Sequence, residues 1–186
     1  GVRAMAVTLD GTVAASAESK LPASATSVRG PRVEQDPQLW TQAATTALQQ
    51  VTSSLPNGTE VVGIAVDATS GTFLLLDKQG EPPTNGIMYN DQRAVDVTPE
   101  VADRLAPALN KYGIRIASSF ALPKVLHLLR NSKELRAQCR HVVHQTDWIV
   151  RLLTDRLDIT DISTALKTGA DPGTLTWPEP IIELGI

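Results

Sequence analysis

The sequence predicts an α/β domain with a mixed central sheet flanked by helices. Three observations carry that expectation. Short alternating or β-branched runs occur at residues 5–9, 61–66 and 73–77. A long stretch with apolar residues at three- and four-residue spacing separates the first run from the second, as a crossover helix would. The 186 residues are 42% hydrophobic and 20% charged, which supplies one sizeable core and argues against wholesale disorder.

The elements follow in order. Met5, Val7 and Leu9 alternate up to Asp10-Gly11, and Thr12-Val13-Ala14-Ala15 comes next. Asp-Gly between apolar runs predicts a hairpin. Residues 18–35 are polar and carry Pro22, Gly30 and Pro31, so an irregular connection or a loosely paired edge strand is expected. Asp36-Pro37 offers an N-cap with proline at the first helical position. Leu39, Trp40, Ala43, Ala44, Ala47, Leu48, Val51 and Leu55 then line one face of a helix, ended by Pro56-Asn57-Gly58.

Val-Val-Gly-Ile-Ala-Val at 61–66 has the pattern of a strand buried on both faces. Residues 73–77 read as a second strand, its hairpin partner, closed by the turn at 78–82. Helices are expected at 99–111, 123–131, 133–138 and 147–153, with His141-Val142-Val143-His144 as a short strand. Pro172 and Gly173 begin a looser tail, and Pro178-Glu179-Pro180 starts a final turn or helix.

Composition narrows the function classes. Lys and Arg total 17 against 20 Asp and Glu, for a net charge of −3. That argues against nucleic acid or an anionic membrane as the main partner, since both favour a basic surface. One cysteine, Cys139, cannot form an internal disulfide and points to a reducing compartment. No apolar run approaches the roughly 18–20 residues of a membrane helix, and no signal peptide is visible. Asn57-Gly58-Thr59 therefore reads as a turn rather than a glycosylation site. His127, His141 and His144 do not form a metal pattern, and no P-loop or dinucleotide fingerprint is present. The chain opens on Gly1-Val2-Arg3 rather than Met and stops at Leu184-Gly185-Ile186 in what reads as the middle of a fold, so a longer parent is expected.

Two constellations suit a neutral hydroxylated ligand. Asp67-Ala68-Thr69-Ser70-Gly71-Thr72 ends an apolar run with a carboxylate, hydroxyls and backbone amides at the end of a sheet, where α/β folds commonly bind ligands. The alternative is a hairpin turn whose Asp and Thr satisfy local amides. Tyr89-Asn90-Asp91-Gln92-Arg93 presents five hydrogen-bonding side chains in a row; the alternative is a solvated helix start with an internal Asp–Arg pair. Two further stretches read more simply. Ser119 can cap a helix with Pro123 in its first turn and Lys124 reaching back toward a pocket, but local evidence favours a capped helix with an exposed lysine, and the pairs Thr146-Asp147 and Thr160-Asp161 read as helix caps. Cys139 reads as a core thiol.

Taken in order, Gly-Val-Arg-Ala-Met, Asp-Ala-Thr-Ser-Gly-Thr, Tyr-Asn-Asp-Gln-Arg-Ala, Phe-x-x-x-Lys, Thr-Asp-Trp and Thr-Asp-x-Ser-x-Ala form a series. It resembles the N-terminal domain of FGGY-family carbohydrate kinases, within the actin-like, ribonuclease-H-like ATPase superfamily. The likeness runs from Gly1 to about Asp171 and points to the xylulokinase/ribulokinase-like branch.

The resemblance implies that residues 1–186 are the sugar-binding N-terminal domain of such a kinase, incomplete at both ends. The first phosphate loop would precede Gly1, leaving Gly1 and Arg3 as its remnant. The catalytic Asp and the ATP-binding domain would lie beyond Ile186, so no catalytic residue and no metal ligand is expected here. Asp67, Thr69, Ser70, Gly71, Asn90, Asp91 and Arg93 would line the sugar cleft, with Ala68 standing where the family has glycine. Lys124, Asp161 and Ser163 look like scaffold. The implied reaction is ATP- and Mg²⁺-dependent phosphorylation of a ketopentose, D-ribulose or D-xylulose. The implied partners are that sugar and ATP, with no nucleic acid and no membrane; a homodimer is compatible with the likeness. The implied location is the cytoplasm, or a plastid if a transit peptide preceded Gly1. Two alternatives stay open: a non-catalytic sugar-binding module or pseudokinase, and an interaction scaffold of the same fold.

Overall fold

A computed structural model describes residues 1–184; Gly185 and Ile186, the end of the expected domain, lie outside the described residues. The first hairpin is as predicted. Strands β1 (Val2–Val7) and β2 (Val13–Ser19) pair antiparallel around the Asp10-Gly11 turn. They form a two-stranded ribbon of their own, separate from the main sheet.

Residues 18–35 are more regular than their polar composition suggests. β2 continues to Ser19, and β3 (Thr26–Arg29) and β4 (Arg32–Gln35) form a second hairpin around Gly30-Pro31. Helix α1 (Pro37–Ser53) starts where expected: the Asp36 carboxylate accepts from the Gln38 amide at 2.9 Å. Trp40, Ala43, Ala44, Ala47 and Val51 make its buried face.

The main sheet has five strands in the order β3-β4-β6-β5-β7, with β5 at Phe73–Leu76, β6 at Gly86–Ile87 and β7 at His141–His144. Strand β5 is buried on both faces because its side chains alternate between two helical layers. Phe73 and Leu75 pack with Ala121, Val125 and Leu129 of α3 (Ala121–Asn131). Leu74 and Leu76 pack with Trp40 of α1 and Trp148 of α5 (Gln145–Thr154). A third cluster joins Val101, Leu105 and Leu109 of α2 (Thr98–Leu109) to Leu122 and Leu126 of α3. Helix α4 (Lys133–Gln138), then α6 (Ile162–Ala165) and α7 (Glu179–Glu183), complete the chain.

One expected element does not form. Residues 61–66 belong to no strand, and Val61, Val62 and Ile64 are 64%, 76% and 59% exposed. The partners of β5 are β6 and β7, both antiparallel, not 61–66. The pairings within both described sheets are antiparallel, so the parallel component of the mixed sheet is not formed among the described residues. A β-branched run can be buried only if another backbone takes its hydrogen bonds, and no described strand lies alongside this one.

Candidate functional site

Three loops converge at one end of the main sheet. The first is the turn that leads into β5. Its Thr72 amide donates to the Thr69 carbonyl, and Gly71 sits at φ +88°, a left-handed conformation that favours glycine. Gly71 is needed for a second reason: a Cβ there would collide with the Ser119 carbonyl. So the turn is pressed against the loop that precedes α3.

The second loop, residues 88–93, follows β6. Its Tyr89 amide donates to the Thr72 hydroxyl at 3.2 Å, which ties it to the first. The third loop, Ser118-Ser119-Phe120, is held by Lys124. That ammonium is fully buried and donates to the Tyr89 carbonyl at 2.8 Å and the Ser119 carbonyl at 3.4 Å. Burial pushes Lys124 down to about 8, with the charges of Arg93 and Lys167 adding to the effect and Asp91 opposing it. The chain therefore departs from the sequence reading here. Phe120, not Ser119, is the N-cap, it makes no side-chain cap bond, and the lysine is interior rather than exposed.

Asp91 anchors the second loop from inside. It is fully buried, and its two oxygens accept from the Val33 amide (2.6 Å), the Arg93 amide (3.0 Å), Arg93 Nε (2.9 Å) and Arg93 Nη2 (2.8 Å). Four bonds fill the roughly four lone-pair sites of a carboxylate. Burial pushes this carboxyl up, but the Arg93 side chain and the two amides outweigh it and hold it below the ordinary range. Arg93 reaches on to Glu34 at 2.5 Å, so the loop is bolted to β4. Burial opposes the guanidinium charge, yet Asp91 and Glu34 raise its pKa.

The remaining candidates sort by exposure. Asp67, Thr69 and Asn90 are exposed, Ser70 is half-buried and Gly71 is buried. Asp67, Thr69, Ser70 and Gly71 belong to the first loop and Asn90 to the second, so the converging loops carry hydroxyls and an amide side chain over a charged bracket. Gly1 precedes β1 and Arg3 lies on it, in the separate two-stranded ribbon, where exposed Arg3 pairs across to Glu18 at 3.8 Å. Asp161 is the N-cap of α6 as expected, accepting from the Thr164 amide, whereas the N-cap of α5 is His144, whose amide donates to Asp147 in the first turn of the helix.

Sequence reasoning missed two participants. The Ser119 carbonyl had no signal, because its role depends on a contact with Gly71 and Lys124. His144 ends β7 beside Thr72, whose carbonyl accepts from the Gln145 amide at 3.1 Å. It is buried with both ring nitrogens unpartnered, and burial pushes its pKa down against the opposing pull of Asp147, the Thr72 carbonyl and Asp161. Cys139 is half-buried, and burial raises its thiol. Among the described residues, no group of three or more His, Cys, Asp or Glu side chains is placed to hold a metal ion. No described helix is long and apolar enough to cross a membrane.

The chain as a whole is similar to known proteins. The sequence profile of the FGGY family of carbohydrate kinases, N-terminal domain, matches residues 1–183. The chain is 29% identical over 162 residues to a glycerol kinase of Burkholderia multivorans, covering 82% of the chain and 32% of that protein. It is 28% identical over 137 residues to a xylulose kinase of Lactococcus lactis, covering 73% of the chain and 27% of that protein. Thus it spans about a third of the length of the curated relatives it matches. In fold it is similar to a xyloylose kinase from Brucella ovis, with a TM-score of 0.88 and 23% identity over 99% of the chain and 38% of that structure. The ADP-bound glycerol kinase of Plasmodium falciparum gives a TM-score of 0.72 at 19% identity over 98% of the chain and 38% of that structure. The chain belongs to the FGGY family of carbohydrate kinases and carries the actin-like ATPase fold of that family's N-terminal domain.

Proposed function

We propose that the protein containing this chain transfers the γ-phosphoryl group of ATP to a hydroxyl of a ketopentose, D-ribulose or D-xylulose, and that residues 1–186 supply sugar recognition. The observation that carries the reading is the convergence of the 67–72 turn with the 88–93 loop, exposed hydroxyls and an amide mounted on a rigid bracket. A neutral polyol is recognised by such donors and acceptors without a charge complement. Xylulose kinases stand among the relatives and similar structures, beside glycerol kinases and a gluconate kinase, so a pentulose is one of the polyols compatible with the likeness.

In this reading Thr69, Ser70 and Asn90 contact sugar hydroxyls, Asp67 lies beside them, and Gly71 shapes the turn that presents them, seated against the Ser119 carbonyl. Asp91 acts on the sugar through the loop it fixes, because four bonds fill its acceptor capacity, and Arg93 acts with it, holding Asp91 and Glu34 through Nε and Nη2. Gly1 and Arg3 belong to the phosphate side through family likeness, and the exposed Arg3 guanidinium is compatible with that place.

The step itself is an in-line transfer. The sugar oxygen bonds to the γ-phosphorus, the bond from that phosphorus to the β–γ bridging oxygen breaks, and ADP leaves. The hydroxyl proton passes to a carboxylate base, an Asp expected beyond Ile186. Positioning supplies much of the rate in such reactions, which suits a rigid sugar platform. The described residues do not by themselves fit Mg²⁺.

A panel of pentuloses, pentitols, glycerol and gluconate, assayed for ADP release by the full-length protein, tests the reading. D-ribulose or D-xylulose should give the highest kcat/KM. Highest activity on glycerol or gluconate would replace the substrate, and binding without turnover would identify a sugar-binding module.

A further inference from the structure

Lys124 has no role in the sugar contacts above, yet it is the only described lysine classed as buried. A buried ammonium is unfavourable unless it is paired and hydrogen-bonded. This one lies on the first turn of α3 with two carbonyl acceptors, one from each of two different loops. The Tyr89 carbonyl precedes Asn90 directly, and the Ser119 carbonyl is the atom that a Cβ on Gly71 would strike. One side chain thus fixes the spacing between the Asn90 loop and the surface against which the Ser70-Gly71 turn rests.

We propose that Lys124 is a positioning residue for the sugar: its ammonium draws the loops that carry Ser70 and Asn90 into one rigid register, so that both reach the same ligand. This rests on the sugar-recognition reading. No direct contact between Lys124 and the substrate is required. The backbone carbonyls it binds have no side-chain substitute, so the register depends on a donor at this place. Asp91 and Arg93 of the second loop and Lys167 of the turn after α6 are the charged groups that act on it.

The test uses the full-length protein and Lys124→Met, which keeps the length of the stem and removes the donors. Backbone amide exchange is read at Thr72 and Tyr89, the two amides that close the turn and join it to the loop. Steady-state KM is measured for the ketopentose and for ATP. The proposal expects both amides to exchange about tenfold faster or more, and sugar KM to rise about tenfold with ATP KM unchanged, the scale of one lost hydrogen bond to a charged group. Lys124→Gln, which keeps N–H donors, should recover part of the sugar KM.

Exchange at both amides equal to wild type in Lys124→Met overturns the proposal. A rise of equal size in both KM values also overturns it, since a merely structural residue would do that. If no ketopentose is a substrate, the recognition reading fails while amide exchange still decides whether Lys124 holds the loops.

Discussion

Residues 61–66 and strand β5 are near-twins in sequence and opposites in structure. Val-Val-Gly-Ile-Ala-Val and Phe-Leu-Leu-Leu are both short, uncharged apolar runs, separated only by the 67–72 turn. Every residue of β5 is buried between α3 on one side and α1 with α5 on the other. Residues 61–66 are largely exposed, with Val62 at 76%. The difference lies in their neighbours. β5 has β6 and β7 to accept its backbone bonds, whereas 61–66 and the free edge of β1 face no described strand. Burial is a property of the assembled sheet, and an apolar run is only eligible for it.

The ion pairs repeat the contrast. Asp91–Arg93–Glu34 is built into the main sheet and shielded from water, while Arg3–Glu18 lies open on the β1–β2 ribbon. Asp91→Ala should therefore destabilise the fold by up to about 3–5 kcal/mol, since it unpairs two buried amides and leaves the Arg93 guanidinium with Glu34 alone, and Arg3→Ala should change stability by no more than about 1 kcal/mol. Urea unfolding of both variants checks this; equal effects would break the comparison. Next in size come the apolar runs. Leu74→Ala should cost about 2–5 kcal/mol, and Ile64→Ala should fall within about 0.5 kcal/mol in the isolated chain. A large loss at Ile64 in the full-length protein only would sharpen the contrast, because it would show that another segment covers residues 61–66 there.

Much of the fold was legible because its causes are local. Asp36-Pro37 announces α1, Asp10-Gly11 announces the first hairpin, and Asp161 was readable as a cap. Residues 61–66 misled because their pattern states a preference and leaves the partner unspecified. The regular β3–β4 hairpin was hidden by polar residues, which a two-residue turn and cross-strand pairing can order without much burial. At the site, the Asp91–Arg93 pair was visible as a spacing of two, but the Val33 amide is 58 positions away in sequence and Glu34 is 59 from Arg93. Lys124 was read as exposed for the same reason: both its acceptors belong to loops whose meeting is tertiary.

The central claim is that the 67–72 turn and the 88–93 loop form one sugar platform. Steady-state kinetics of Ser70→Ala and Asn90→Ala in the full-length protein test it most directly, with ketopentose and ATP varied separately. The account predicts that each variant raises the sugar KM by about tenfold, the scale of one or two lost hydrogen bonds, and leaves the ATP KM unchanged. Unchanged sugar KM in both variants would contradict it and place the sugar elsewhere.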